Sequence, residues 1–161
     1  LDAEIERAQR PLSHSPGNVQ RLRTALQDAM WDDVGVLRTA TGMKRAIGRI
    51  AEIRSELGET GVAPDNLAFN LTWHDWLNMA SLCEVSEVIA KAGLARENSR
   101  GAHYREDFPD SGPMESSYFT VARMQGGKLD VAREDVQFTI VRPGETILPA
   151  GEPETLLEAA Q

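Results

Sequence analysis

VQRLRTALQDAMWDDV, residues 19–34, is the stretch that decides the fold class. Val19, Leu22, Leu26, Ala29 and Met30 recur at spacings of three and four, which puts them on one stripe of a helix. Arg21, Arg23, Gln27 and Asp28 take the other faces. Asn18 offers a side-chain oxygen to the first turn, and Gly35 interrupts the pattern. Upstream, Pro11 to Asn18 (PLSHSPGN) is a run of turn formers that ends whatever precedes it. Leu1 to Arg10 (LDAEIERAQR) reads as the tail of a helix. The start on Leu1 instead of Met is read as processing or as a cut piece of a longer polypeptide.

Downstream, the same spacing predicts a second helix from Gly42 to Leu57. Thr39 or Thr41 caps its start, and Met43, Ile47, Ile50, Ile53 and Leu57 form its stripe. Gly58 follows as a C-terminal glycine, and Gly58 to Asn66 is a turn-rich connection. A third helix is expected from Thr72 to Arg96, with Leu82, Val85, Ile89 and Ala92 on its stripe. Trp73, Trp76 and Leu77 stand at its start. Three amphipathic helices with short connections predict an antiparallel three-helix bundle.

After Arg96 the character changes. Glu97 to Pro113 is polar, charged and broken by Gly101, Pro109, Gly112 and Pro113, so it reads as a loop. Tyr118 to Met124 is rich in β-branched and aromatic residues, and Gln125-Gly126-Gly127-Lys128 is a hairpin turn. Leu129 to Arg133 returns as a second strand, and Val136 to Val141 alternates as a third, with Val136, Phe138 and Ile140 on one face. The predicted fold class is therefore mainly α: an antiparallel three-helix bundle followed by a small antiparallel β hairpin or sheet appendage. The expected division is an incoming segment at 1–17, the bundle at 18–97, a charged loop at 98–117, the β element at 118–148 and a tail at 149–161.

Composition narrows the function classes. The 161 residues are 41% hydrophobic, enough for a real core, and carry a net charge of −8. An acidic chain does not suit phosphate-tracking nucleic-acid binding or an anionic membrane surface. No apolar run approaches the roughly 20 residues of a membrane helix, and no secretion signal is legible. A lone cysteine, Cys83, forms no internal disulfide and reads as a small core residue. These features fit a reducing, cytoplasmic setting.

Catalytic motifs are missing from the text of the chain. It contains no G-x-G-x-x-G after a strand, no phosphate-binding G-x-x-x-x-G-K-[ST] and no C-x-x-C. His14, His74 and His103 lack metal-ligand spacing; His74 beside Trp73 reads as a capping or packing residue. Asp32-Asp33 and Glu134-Asp135 read as solvated helix and turn residues. No catalytic, cofactor-binding or metal-ligating residue is therefore assigned.

The chemically dense segment is Arg96 to Pro109, where Arg96, Glu97, Ser99, Arg100, Gly101, His103, Arg105, Glu106 and Asp107 crowd together. One reading is a dicarboxylate site, since guanidinium groups bind carboxylates through paired hydrogen bonds. The other is an ordered loop held by its own ion pairs and by a neighbouring domain. Near-balanced charge favours the loop, because Glu106 and Asp107 are in place to satisfy the arginines. Gly101 marks a positive φ or a close approach.

Ala95 to Pro109 (ARENSRGAHYREDFP) closely resembles the AR-x-E-SRGAH-x-REDFP signature of succinate dehydrogenase and fumarate reductase flavoprotein subunits. L-aspartate oxidases carry a similar ESRG-x-H element. Met30 to Thr39 (MWDDVGVLRT) resembles the family's M-x-x-x-x-G-x-x-R-T junction, and Phe69-Asn70 before the third helix is likewise similar. The likeness spans about Val19 to Leu148, and Asn98 stands where the family has no fixed residue, a departure expected to cost little.

The resemblance implies a helical C-terminal part that braces an FAD domain and has no catalysis of its own. In the parent polypeptide, FAD would exchange a hydride with a C4 dicarboxylate. The FAD-binding domain would be the partner, with an iron–sulfur subunit beyond it. An exposed apolar docking face is expected, with Trp31, Trp73, Trp76 and Phe108 contributing. The competing readings are an autonomous helical interaction module and the C-terminal domain of an L-aspartate oxidase.

Overall fold

The computed structural model describes residues 1–63 and 67–146. The chain runs through α1 (Asp2–Gln9), a 3-10 turn (Arg10–Ser13), α2 (Val19–Val34), β1 (Leu37–Arg38), α3 (Ala40–Glu59) and α4 (Leu71–Ala95). Then follow β2 (Tyr104–Arg105), a second 3-10 turn (Met114–Ser116), β3 (Tyr118–Gln125) and β4 (Lys128–Asp135).

The main helices start where side chains can satisfy orphan amides. Asn18, Thr39 and Asn70 accept from the amides of Arg21, Gly42 and Trp73 at 2.9, 3.1 and 2.9 Å. From these starts α2, α3 and α4 pack pairwise around one core. Val19, Leu22 and Leu26 enter from α2; Met43, Ala46, Ile50, Ile53 and Leu57 from α3; Trp76, Met79, Cys83 and Ala90 from α4. Among the described residues no helix is long and apolar enough to cross a membrane.

The stripe expected on the third helix is the wrong one. Leu82, Val85 and Ile89 are 43, 55 and 46% exposed, whereas Met79, Cys83 and Ala90 are fully buried. This helix is apolar on two faces: Trp76, Met79, Cys83 and Ala90 enter the helical core, while Val85 and Ile89 look toward Ala122, Met124 and Leu129 later in the chain. Glu87 lies between the two faces and is bonded by Lys91 at 2.6 Å and Arg54 at 2.5 Å. Burial opposes its ionisation, but those two bonds prevail and its pKa falls.

The segment before α2 is zipped to the end of α3. Gly61 donates to the Ser15 carbonyl at 2.9 Å, Gly17 donates to Gly61 at 3.1 Å, and Val62 donates to buried Pro11 at 3.0 Å. A β-carbon on Gly61 would lie 2.0 Å from the His14 carbonyl oxygen, whereas one on Gly48, inside α3, would meet nothing within 4 Å. Gly61→Ala is therefore expected to destabilise by about 1–3 kcal/mol through backbone displacement. Gly48→Ala should stabilise by about 1 kcal/mol. Urea unfolding of the two variants checks the opposite signs.

β3 and β4 pair antiparallel over their full length, Tyr118 opposite Asp135 and Gln125 opposite Lys128. Gly126 and Gly127, with φ of 56° and 77°, provide the doubly positive turn that such a two-residue loop needs. The third strand expected over Val136 to Val141 does not form. The Val136 amide donates to Ser117 at 2.9 Å, and no ladder follows, with Ile140 87% exposed. Alternating residues make a strand only when another strand presents its edge. A short pairing foreseen by no local signal does form: β1 lies parallel to β2, with Leu37 opposite Tyr104 and Arg38 opposite Arg105. The tail expected at 149–161 lies outside the described residues.

Candidate functional site

The loop after α4 is built around Arg105, whose side chain is 1% exposed. Helix α4 ends with carbonyls that its own ladder leaves under-satisfied, and the Arg105 Nη1 donates to two in its last turn and to that of the residue just after it. Gly93, Leu94 and Arg96 each accept at 3.1 Å. Nε and Nη2 donate to the two carboxylate oxygens of Asp107 at 2.7 and 2.8 Å. The guanidinium also lies over the Phe108 ring, 4.9 Å from its centre.

Asp107 carries the linkage onward. Its Oδ2 accepts from the Ala40 amide at 2.8 Å, in the first turn of α3. One ion pair thus joins the positive N-terminal end of α3 to the negative C-terminal end of α4, each charge at the end that favours it. The Arg105 bonds hold the Asp107 carboxyl far below the usual carboxylate range, assisted by the Ala40 amide against some burial. A carboxyl depressed in the fold contributes stability that is complete above its unfolded pKa of about 3.9 and is lost as the pH falls toward the folded value. Unfolding free energies on the two sides of that value should therefore differ less in Asp107→Asn than in the parent chain.

His103 and Arg38 form the adjoining link. Arg38 donates through Nε to the Val34 and Gly35 carbonyls at 3.1 and 2.7 Å, closing the end of α2. Its Nη1 meets His103 Nδ1 at 2.8 Å, and His103 Nε2 meets the Arg96 carbonyl at 3.2 Å. The Glu106 amide donates to the Arg38 carbonyl at 2.9 Å.

Arg100 organises the outer turn. It donates to the Ser111 carbonyl at 2.5 Å, the Pro113 carbonyl at 2.8 Å and the Ser117 hydroxyl at 2.8 Å. Its backbone exchanges hydrogen bonds with that of His103, across Gly101 at φ 56°. Ser99 Oγ accepts from the Arg105 amide at 2.9 Å and donates to the Phe108 carbonyl at 2.8 Å.

Arg96 donates to Asn98 at 3.1 Å, and Asn98 donates to the Tyr118 hydroxyl at 3.4 Å. Arg133 pairs with Glu97 at 3.5 Å and lies 4.7 Å from the centre of the Tyr118 ring. These contacts attach the hairpin to the end of α4.

Three expectations need correction. Asp107 pairs with Arg105, but Glu106 has no side-chain partner among the described residues and is exposed. Asn98 is not a neutral departure, because it is 7% exposed and joins helix end to hairpin. The tryptophans expected on a docking face also divide. Trp76 is buried with its indole N–H on the Leu57 carbonyl at 2.9 Å, and half-buried Trp73 donates to Ala8 at 2.7 Å. Phe108 is partly covered by Arg105, and Trp31 is 84% exposed.

The other groups singled out in the sequence have structural surroundings. Asp33 is buried and held by Arg45, Nε to Oδ2 at 3.0 Å. Glu134 pairs with Arg123 at 2.5 Å, and exposed His74 sits against Trp73. Among the described residues no group of three His, Cys, Asp or Glu is placed to hold a metal.

The loop guanidiniums donate to the chain itself, which leaves the dicarboxylate reading without a cluster of free donors. A cleft of about 860 Å³ lies between Val85, Val88 and Ile89 of α4 and the hairpin's Ala122, Met124 and Leu129. Its one glycine, Gly127, belongs to the hairpin turn and starts no helix, so these residues do not by themselves fit a dinucleotide.

Comparison with known proteins places this geometry. Residues 23–148 match the model of the fumarate reductase flavoprotein C-terminal family. The chain is 35% identical over 92 residues to a fumarate reductase (CoM/CoB) subunit of Methanothermobacter marburgensis, covering 57% of this chain and 17% of that protein. It is 30% identical over 139 residues to the succinate dehydrogenase flavoprotein subunit of Rickettsia conorii, covering 84% and 23%. The Mycobacterium smegmatis Sdh1 complex in the apo form contains a similar fold, with a TM-score of 0.75 at 29% identity over 87% of this chain and 25% of that one. The chain thus spans a quarter or less of the length of these relatives.

Proposed function

The chain belongs to the fumarate reductase flavoprotein C-terminal family, and from that premise we propose that it is the bracing part of an FAD-dependent oxidoreductase acting on C4 dicarboxylates. The flavin and the substrate-binding groups belong to other parts of that enzyme, and this chain is inactive alone. When bound there, FAD would supply hydride transfer. The residues here contribute a rigid support: an antiparallel three-helix bundle at 18–97, the charged loop at 98–117 and the β element from 118. Loop residues Arg96, Glu97, Ser99, Arg100, Gly101, His103, Arg105 and Asp107, with the backbone amide of Glu106, hold that support together.

The observation that carries the proposal is an apolar end left exposed among the described residues. Trp31, Val36 and Leu37, at the junction of α2 and α3, are 84, 78 and 59% exposed. Tyr104, opposite Leu37 in the parallel bridge, is 40% exposed. The Arg38–His103 and Arg105–Asp107 links fix this end rigidly, which lowers the ordering cost of docking. The FAD-binding domain is the proposed occupant, and an iron–sulfur subunit is the further partner, which would hold the enzyme at the cytoplasmic side of a membrane.

The test expresses the gene's complete reading frame and, separately, residues 1–161, and measures bound flavin and fumarate reduction by a reduced dye. Flavin and turnover are expected in the complete product and neither in the shorter chain. A complete product without flavin, or flavin bound stoichiometrically by residues 1–161, overturns the reading.

A further inference from the structure

His103 joins two helix ends through the two nitrogens of one ring. Arg38 can only donate, so the Nδ1 it meets at 2.8 Å must be the unprotonated nitrogen. The Arg96 carbonyl can only accept, so Nε2 at 3.2 Å carries the hydrogen. Only the neutral imidazole satisfies both.

The charged groups around the ring are all cationic: Arg38 from β1, Arg96 at the end of α4 and Arg105 from β2. From α3 the neighbour is uncharged Met43, which with the ring borders the space beside Gly93. The nearby Asp107 is engaged by Arg105 and Ala40, and no carboxylate bonds the ring among the described residues. Burial, with the three guanidiniums, pushes the His103 pKa below its ordinary value despite the bond to Arg96.

We propose that His103 is a proton-operated latch: one proton taken up at Nδ1 expels the Arg38 guanidinium and opens the β1–β2 bridge. The new N–H would face a donor, and a fourth positive charge would enter a site that already holds three. An imidazole whose folded pKa lies below its unfolded value stabilises the fold fully above the unfolded value, about 6.5. That contribution is lost as the pH falls from there to the folded pKa. Because Leu37 and Tyr104 are paired in the same bridge, opening would also disperse part of the apolar end. That consequence rests on the docking proposal; the latch does not.

The experiment follows the His103 ring resonances and the exchange of the Glu106 amide, bonded to the Arg38 carbonyl, on the full 161-residue chain by NMR between about pH 7.5 and 5. His103 should titrate below the exposed imidazole value, with its hydrogen on Nε2 at neutral pH. Glu106 protection, corrected for intrinsic exchange, should fall by up to about tenfold per pH unit as the pH drops from about 6.5 to the folded pKa of His103, and level off below it. In His103→Gln that pH dependence should vanish. Arg38→Met, which removes one of the three cations and keeps the stem, should raise the His103 pKa. A His103 titrating at or above the exposed value overturns the latch. So does a Glu106 profile that is the same in His103→Gln, or a His103 pKa unmoved in Arg38→Met.

Discussion

Replacing Arg105 with methionine is expected to destabilise the chain by about 3–5 kcal/mol, the range for removing one partner of a buried charge pair. Methionine fills much of the same volume, so the loss is not a cavity effect. The carbonyls of Gly93, Leu94 and Arg96 would each lose the donor that now sits at 3.1 Å. Asp107 would keep the Ala40 amide but lose both bonds to the guanidinium. Arg105→Lys should recover less than half, because an ammonium cannot serve a two-pronged carboxylate and three carbonyls together. Asp107→Asn should cost only about 1 kcal/mol, since this side chain is 31% exposed and an amide oxygen can still accept from Ala40. Urea unfolding followed by circular dichroism gives the order. An Arg105→Met variant as stable as Asp107→Asn would show that Arg105 is not the clamp between α3 and α4.

What the sequence disclosed depended on how local each cause is. Helix α2 was legible to the residue because Asn18 and Gly35 flank it directly and the apolar stripe lies between them. Helix α4 was legible in extent but not in facing. Val85, Val88 and Ile89 line the cleft below the hairpin, while Cys83, Ser86 and Ala90 enter the core. Spacing alone marks a stripe of large residues and cannot tell which neighbour it meets. The pairing of β1 with β2 joins residues far apart in the chain, and nothing local announces it. The same limit produced the third strand that does not form. In the charged loop, near-balanced charge foretold internal pairing, but composition could not choose between Glu106 and Asp107. The choice was made by the Ala40 amide at the start of α3, which is visible only in three dimensions.

Trp76→Ala and Trp31→Ala should lie at opposite ends of the stability scale, although both residues read alike as interface aromatics. Trp76 is 5% exposed among core residues, and its indole N–H satisfies the Leu57 carbonyl in the last turns of α3. Its loss removes both the buried ring and that bond, about 3–5 kcal/mol together. Trp76→Phe keeps most of the packing but leaves Leu57 without its donor, so about 1–2 kcal/mol is expected. Trp31 is 84% exposed and should change the stability of the 161-residue chain by less than about 0.5 kcal/mol. In the complete enzyme the same Trp31→Ala change should weaken attachment of this part, seen as faster proteolytic release under native conditions. If Trp31→Ala is silent there as well, the α2–α3 junction is not where the FAD domain rests. If Trp76→Ala is also tolerated, the core contributed by α4 has been drawn around the wrong residues.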